Sequence, residues 1–171
     1  MNIRPSRMED LNCLMEIYEE ARAFMRQSGN RNQWVNGYPN RELLSEDIRR
    51  GVSFLCEENG NPVGCFTFII GEDPTYQVIE GRWLNEGLYG TIHRAASNGT
   101  RRGLMDEVIA FCAGRAPNLR CDTHADNHPM QKVMARCGFT HCGTIWVEDG
   151  TPRLAYQKII QRAEEEKCSP S

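Results

Sequence analysis

The chain of 171 residues lacks most of the features that announce a function at once. Its eight cysteines contain no C-x-x-C pair, which removes the strongest zinc and thioredoxin-type signatures. No apolar run approaches the roughly 20 residues that a membrane-spanning helix needs. The start, MNIRPSRMEDLN, has no apolar stretch of the kind that marks a secretory signal. Neither sign of charge dominates: 20 basic and 23 acidic side chains give a net charge of -3, so no global field draws in nucleic acid or anionic lipid. Internal repeats and low-complexity segments are missing too. These absences lead us to expect one cytoplasmic domain with no nucleic-acid or membrane partner, its cysteines serving as small reduced core residues. Any anion site must then be local.

The hydrophobic pattern supplies the elements. A short strand over 1–5 leads to Ser6 and Glu9 at capping-box spacing, ahead of a helix with Leu11, Leu14, Met15, Tyr18, Ala21 and Met25 on one face. A Gly/Asn-rich loop over 28–39 carries Trp34 and Tyr38, and a second helix around Leu43, Leu44 and Ile48 ends at Gly51. Two apolar runs, 52–56 and 62–70, flank Asn59-Gly60 and form a hairpin. The acidic stretch 71–88 is irregular, with a short extended piece at 76–79. Then come a strand (90–97), a helix (Leu104 to Cys112) and a strand (119–123), the spacing of a crossover between parallel strands. A helix from Asn127 stops at Gly138-Phe139, and two strands near 141–148 and 153–160 flank Asp149-Gly150. A charged tail occupies 161–171.

One local conflict points to chemistry. Helix starts favour acidic residues, because first-turn N–H groups lack partners and the dipole places positive charge there. Here Asn98-Gly-Thr-Arg-Arg-Gly103 sets two arginines and two glycines before a helix. A bound polyanion would resolve that conflict, whereas a solvated basic turn explains it equally well on local sequence. The spacing matches neither a Walker A loop nor GxGxxG.

Taken together, the strand HRAAS, this loop, the strand ending at Asp122 and the helix from Asn127 to Gly138-Phe139 resemble the GNAT acetyltransferase superfamily. The resemblance implies an α/β domain over 1–160, with a mixed, mostly antiparallel sheet, a parallel central strand pair and flanking helices. It implies acetyl-coenzyme A as co-substrate. Its pyrophosphate would lie on Thr100, Arg101, Arg102, Gly103, Leu104 and Met105, its pantetheine arm on Arg94, Ala95 and Ala96, and Asn127 would stand beside it. A homodimer is a further expectation from the family. Two departures stand out: the loop keeps only the middle glycine of the family pattern, and the tyrosine acid seven residues after the helix asparagine is Met134.

For transfer to an amine, the resemblance requires a proton acceptor. Glu80, Asp122 and His124 are the candidates, with His93 ranked lower; an imidazole suits proton transfer near neutrality. Trp34, Tyr38 and Trp83 are candidates to line an acceptor pocket for a small amine or peptide, although each could simply cover the core edge. Two further readings compete. Met134 favours a coenzyme A-binding sensor or interaction module without turnover. His124 and His128 at i, i+4 suggest a metal, but Asn127 and Pro129 put a helix start between them, so no metal is expected.

Overall fold

The structure is a computed structural model that describes residues 1–161. In chain order it contains β1 (Asn2–Pro5), α1 (Leu11–Gln27), α2 (Arg41–Arg49), β2 (Ser53–Glu58), β3 (Asn61–Ile70), β4 (Glu80–Gly81), β5 (Gly90–Ser97), α3 (Leu104–Ala113), β6 (Asn118–Thr123), α4 (His128–Arg136), β7 (Thr140–Trp146) and β8 (Pro152–Ile159). The strands form one sheet in the order β1-β2-β3-β5-β6-β8-β7-β4. Only β5 and β6 run parallel, joined by the α3 crossover. The expected fold class is thus the observed one. Beyond Gln161, the expected tail lies outside the described residues.

Most boundaries follow local physics. Asn59 (φ 51°) and Gly60 (φ 78°) supply the two positive φ values that a two-residue hairpin turn demands between β2 and β3. Asn127 caps α4 by accepting the Met130 N–H at 3.2 Å. Gly138, at φ 79°, ends it, and the Phe139 N–H reaches back to the Met134 carbonyl at 3.0 Å.

Two details differ from the sequence reading. Ser6 does not cap the first helix: its hydroxyl is buried against Ser53 (2.9 Å), and a 3-10 turn at Met8–Asp10 precedes α1, with the Asp10 carboxylate accepting the Arg7 N–H. Tyr76 is not in an extended piece. Asp73 accepts the Thr75 N–H and opens a 3-10 turn at Pro74–Tyr76, so the extended backbone comes later, at β4. A side chain that satisfies the backbone locally outcompetes a weak strand pattern.

The sheet buries both faces. Leu11, Leu14, Ile17 and Tyr18 of α1 and Leu44 of α2 pack on Leu55, Cys65 and Ala96. On the other face, Leu104, Val108, Ile109 and Cys112 of α3 and Met134 of α4 pack on Cys56, Phe66, Phe68 and Ile92. Each large apolar side chain removed from water in this way contributes about 1.5–3 kcal/mol. Cys56, Cys65, Cys112 and Cys121 are buried and every described cysteine is free; burial pushes the Cys56 thiol up to about 12. A third cluster, with Tyr76, Trp83 and Tyr89, closes the β8-β7-β4 end.

Candidate active site

The centre of the sheet contains a register change. Residues four apart on a strand share a face, yet Ile92 packs toward α3 and Ala96 toward α1. The reason is a bulge: Cys65 pairs with Ala96 and Thr67 with His93, so two residues of β5, Arg94 and Ala95, oppose Phe66 alone. Such a bulge leaves one residue's ladder groups unpaired. Arg94 takes φ 50°, uncommon for a side-chain-bearing residue and found where the surroundings enforce it. The enforcement is visible. Tyr18 Oη donates to the Arg94 carbonyl (2.8 Å), and the Arg94 guanidinium meets the buried Asp47 carboxylate (2.5 Å) and the Tyr38 hydroxyl (3.3 Å).

Next to the bulge the two parallel strands separate. Their register covers only Gly90–Leu119 and Thr91–Arg120. Beyond it, His93, Arg94 and Ala95 of β5 and Cys121, Asp122 and Thr123 of β6 line a common cavity of about 620 Å³. Trp34 and Tyr38 from the loop before α2 also line it, as do Met105 of α3 and Met130 and Met134 of α4. This volume suits a small-molecule site.

Two hydrogen-bonded pairs bring titratable groups to that cavity. His93 Nε2 lies 2.6 Å from Asp73 Oδ2. Burial pushes the Asp73 carboxyl up, but the His93 hydrogen bond and the Thr75 N–H outweigh it and hold the group below its ordinary value. An ionised carboxylate only accepts, so Nε2 is the donor, and in the neutral ring the lone pair is on Nδ1. Nδ1 has no hydrogen-bond partner among the described residues. The second pair joins Tyr76 Oη to Asp122 Oδ1 at 2.6 Å. Burial, and then the neighbouring Asp122 charge, push the Tyr76 phenol far up, so it stays the donor.

The loop before α3 can receive an anion. Gly99 N–H turns to Ser97 Oγ (3.1 Å) and Thr100 N–H to Asn98 Oδ1 (3.1 Å). The N–H groups of Arg101, Arg102 and Gly103 find no acceptor among the described residues, and Gly103 stands at φ 73°. The acidic first turn of α3 is neutralised, Glu107 by Arg101 and Asp106 by Arg136. Free amides on a helix start without net negative charge fit a pyrophosphate. Underneath, Gly64 gives Leu104 and the Ala96 carbonyl their room.

The sequence candidates distribute unevenly around this geometry. Asp122, Arg94, Ala95, Met105, Asn127, Trp34 and Tyr38 line the cavity. Thr100, Arg101, Arg102 and Gly103 belong to the anion loop outside it, although the Arg101 guanidinium is held by Glu58 and Glu107 rather than left free. Leu104 and Ala96 are core residues. Glu80 is exposed on β4, paired with Thr144, and does not line the cavity. His124 also falls outside: its Nδ1 accepts the Asp126 N–H at 3.1 Å. Trp83 is buried beneath Arg120 and donates to the Tyr76 carbonyl, so it is core and not pocket wall. No group of three or more His, Cys, Asp or Glu side chains converges on a metal position among the described residues.

His93 ranked low from sequence, and Asp73 was not found there. The pairing spans 20 residues, and its one local signal was Asp73 beside Pro74, a start for a capped turn. Met134 is 1% exposed, in contact with Cys121, whose Sγ lies 3.0 Å from Met134 Sδ. Burial keeps that thiol protonated.

Known proteins share this fold. The family model described as Acetyltransferase (GNAT) family matches residues 14–139. A GNAT-family acetyltransferase structure from Streptococcus agalactiae is 33% identical, covers 94% of this chain and 96% of its own, and superposes with a TM-score of 0.84. A Staphylococcus aureus acetyltransferase structure is 27% identical over 94% of this chain and 100% of its own, with a TM-score of 0.68. A ribosomal-protein-alanine N-acetyltransferase from Brucella melitensis, at 22% identity over 93% and 99% of the two chains and a TM-score of 0.57, shares the fold. Among curated protein sequences none matches. The family match spans most of the chain and the identity to the streptococcal structure extends over nearly all of it, so the chain belongs to the GNAT acetyltransferase family.

Proposed function

We propose that the chain transfers an acetyl group from acetyl-coenzyme A to a primary amine by direct attack, with His93 as proton acceptor. The observation that carries this reading is the His93–Asp73 pair on the strand that forms the bulge, with His93 lining the cavity and its Nδ1 unpaired among the described residues. Bound acetyl-coenzyme A supplies the activated acetyl group. Its pyrophosphate would rest on the N–H groups of residues 101–103, and its pantetheine arm in the wedge beside Arg94 and Ala95. The protein's own residues do the remainder. Asp122 carries an oxygen free of the Tyr76 bond and attracts the cationic amine. His93 Nδ1 takes a proton from the attacking nitrogen, and Asp73 stabilises the imidazolium that results. An N–H freed by the bulge stabilises the negative charge that develops on the carbonyl oxygen. Nitrogen–carbon bond formation and carbon–sulfur cleavage balance as follows: of the three ammonium protons, one stays on the amide, one passes through His93 to water and one ends on the coenzyme thiol.

Met134 supports a second reading, a coenzyme A-binding module without turnover, because its buried thioether cannot donate a proton. Assay of thiol release from acetyl-coenzyme A across an amine panel separates the two. Turnover abolished by His93→Gln supports transfer; coenzyme A-dependent thermal stabilisation without turnover for any amine supports the module. The reaction belongs in the cytoplasm, which keeps thiols such as the seven free ones described here reduced. No described helix is long and apolar enough to cross a membrane.

A further inference from the structure

Among the described residues three arginines are more than nine-tenths buried, and two of them have evident partners. Arg22 pairs with Glu19 at 2.6 Å. Arg120 lies against the faces of Trp83 and Tyr89, 4.0 and 3.9 Å from the ring centroids, and donates to the Asn85 carbonyl. Arg153, 6% exposed, differs. It stands at the start of β8 and lines the cavity, but no carboxylate among the described residues lies within ion-pair distance. Its guanidinium donates only to neutral oxygens: Nη1 to Thr151 Oγ1 (2.8 Å) and the Pro152 carbonyl (2.9 Å), Nη2 to the Gln33 carbonyl at a long 3.4 Å. Asp149 is held below its ordinary value chiefly by the hydrogen bonds that it accepts from Thr151 Oγ1 and N–H, with Arg153 a smaller contributor, so its carboxylate is turned to Thr151 and not to the guanidinium.

A buried cation without an anion is costly; Arg120 is offset by two aromatic faces, whereas Arg153 has none among the described residues and faces a cavity where a ligand could supply the missing charge. A planar guanidinium suits a carboxylate in particular. The same cavity offers Asp122 and the His93–Asp73 pair to an amine. We infer that the acceptor is a small amino acid, whose carboxylate pairs with Arg153 while its amine faces Asp122 and His93; this specificity rests on the acetyl-transfer reading. Arg153 would hold the substrate and takes no part in the bond changes. Gln33 links it to the rest of the site: its carbonyl accepts from Arg153, and its side-chain oxygen accepts from Asn127 Nδ2 at 2.9 Å. The loop that carries Trp34 is thereby fastened over both ends.

The test compares α-, β- and γ-amino acids with their primary amides as acceptors, and the same ligands by thermal shift, in wild type, Arg153→Gln, Arg153→Lys and His93→Gln. The expected result is a kcat/KM at least tenfold higher for one acid than for its amide. Arg153→Gln should lose 10- to 100-fold on that acid through KM, with an unchanged pH profile and little change on the amide; Arg153→Lys should recover part. Equal use of acids and amides by wild type overturns the inference, and that comparison needs no variant to fold. An equal loss on both acceptors in Arg153→Gln also overturns it, since a structural role acts on both. If no amine turns over but an amino acid stabilises wild type and not Arg153→Gln, the carboxylate site stands and acetyl transfer falls. Absence of both turnover and stabilisation overturns both.

Discussion

Replacing Asp73 by Asn exchanges one carboxylate oxygen for an amide at the position that fixes the His93 tautomer. The cap survives the change: Asn accepts the Thr75 N–H through Oδ1 as well as Asp does, so the 3-10 turn should hold and the melting temperature should move by only a few degrees. The hydrogen bond at 2.6 Å from His93 Nε2 does not survive in kind. An amide NH2 facing Nε2 forces that nitrogen to accept, which moves the proton to Nδ1 and removes the lone pair that receives the amine proton. An amide oxygen facing it keeps the tautomer but loses the charge that stabilises imidazolium. General-base assistance contributes about 10²- to 10⁴-fold, so kcat should fall by that range, about 2.7–5.4 kcal/mol of barrier at 1.36 kcal/mol per decade. Steady-state thiol release should show the loss in kcat with the KM for acetyl-coenzyme A almost unchanged. Activity within threefold of wild type in Asp73→Asn, beside a large loss in His93→Gln, would refute the orienting role. Near-normal activity in both would move the proton acceptor to Asp122.

Three other expectations follow from the packing. Met134→Tyr puts a larger, polar side chain where the thioether packs against Cys121 at the cavity wall, so it should cost about 1–3 kcal/mol and lower the melting temperature without raising kcat; a faster enzyme would show that the position can still serve an acid. Gly64→Ala places a Cβ against Leu104 Cδ2 and 2.6 Å from the Ala96 carbonyl oxygen, which disturbs both the anion loop and the bulged strand. Its KM for acetyl-coenzyme A should rise more than tenfold in the same assay, and an unchanged KM would contradict the placement of the cofactor. Asp10 is held below its ordinary value chiefly by the Arg4 hydrogen bonds, so its stabilisation is complete above the unfolded value near pH 3.9 and is lost as pH falls through the lower folded value. In urea melts the stability gap between wild type and Asp10→Asn should narrow from pH 5 to pH 2; a constant gap would refute the assignment.

What the sequence made legible was local. Asn59-Gly60, the Asn127 cap and the Gly138-Phe139 stop each encode a backbone conformation within a few residues, and all three appear where their spacing placed them. The candidate site divided along the same line. Asp122 and Asn127 lie at a strand end and a helix start, which pattern reveals, and both line the cavity. Glu80 lies three residues before Trp83, but that ring packs inward on Tyr76 while the Glu80 side chain stays outside. The His93–Asp73 and Arg153–Gln33 contacts were illegible for a different reason. They join residues 20 and 120 apart, and no periodicity predicts which side chains meet across a sheet.

The bulge at Arg94 ties these distant contacts into one device. A positive φ at a non-glycine residue costs on the order of 1–3 kcal/mol, so the sheet needs a reason to keep it. Asp47, 1% exposed, is bonded to both Arg94 and Thr67, and removing one partner of such a buried pair costs about 3–5 kcal/mol. That exceeds the strain, so the pair can hold the backbone in a conformation it would otherwise leave. Because Asp47 belongs to α2 and Tyr18 to α1, both helices are fastened to one strained peptide. The parity of β5 switches at that point, which is why His93 faces the cavity while Ala96, three residues on, seals the core under α1. A regular strand could not make both placements and leave an N–H unpaired between them.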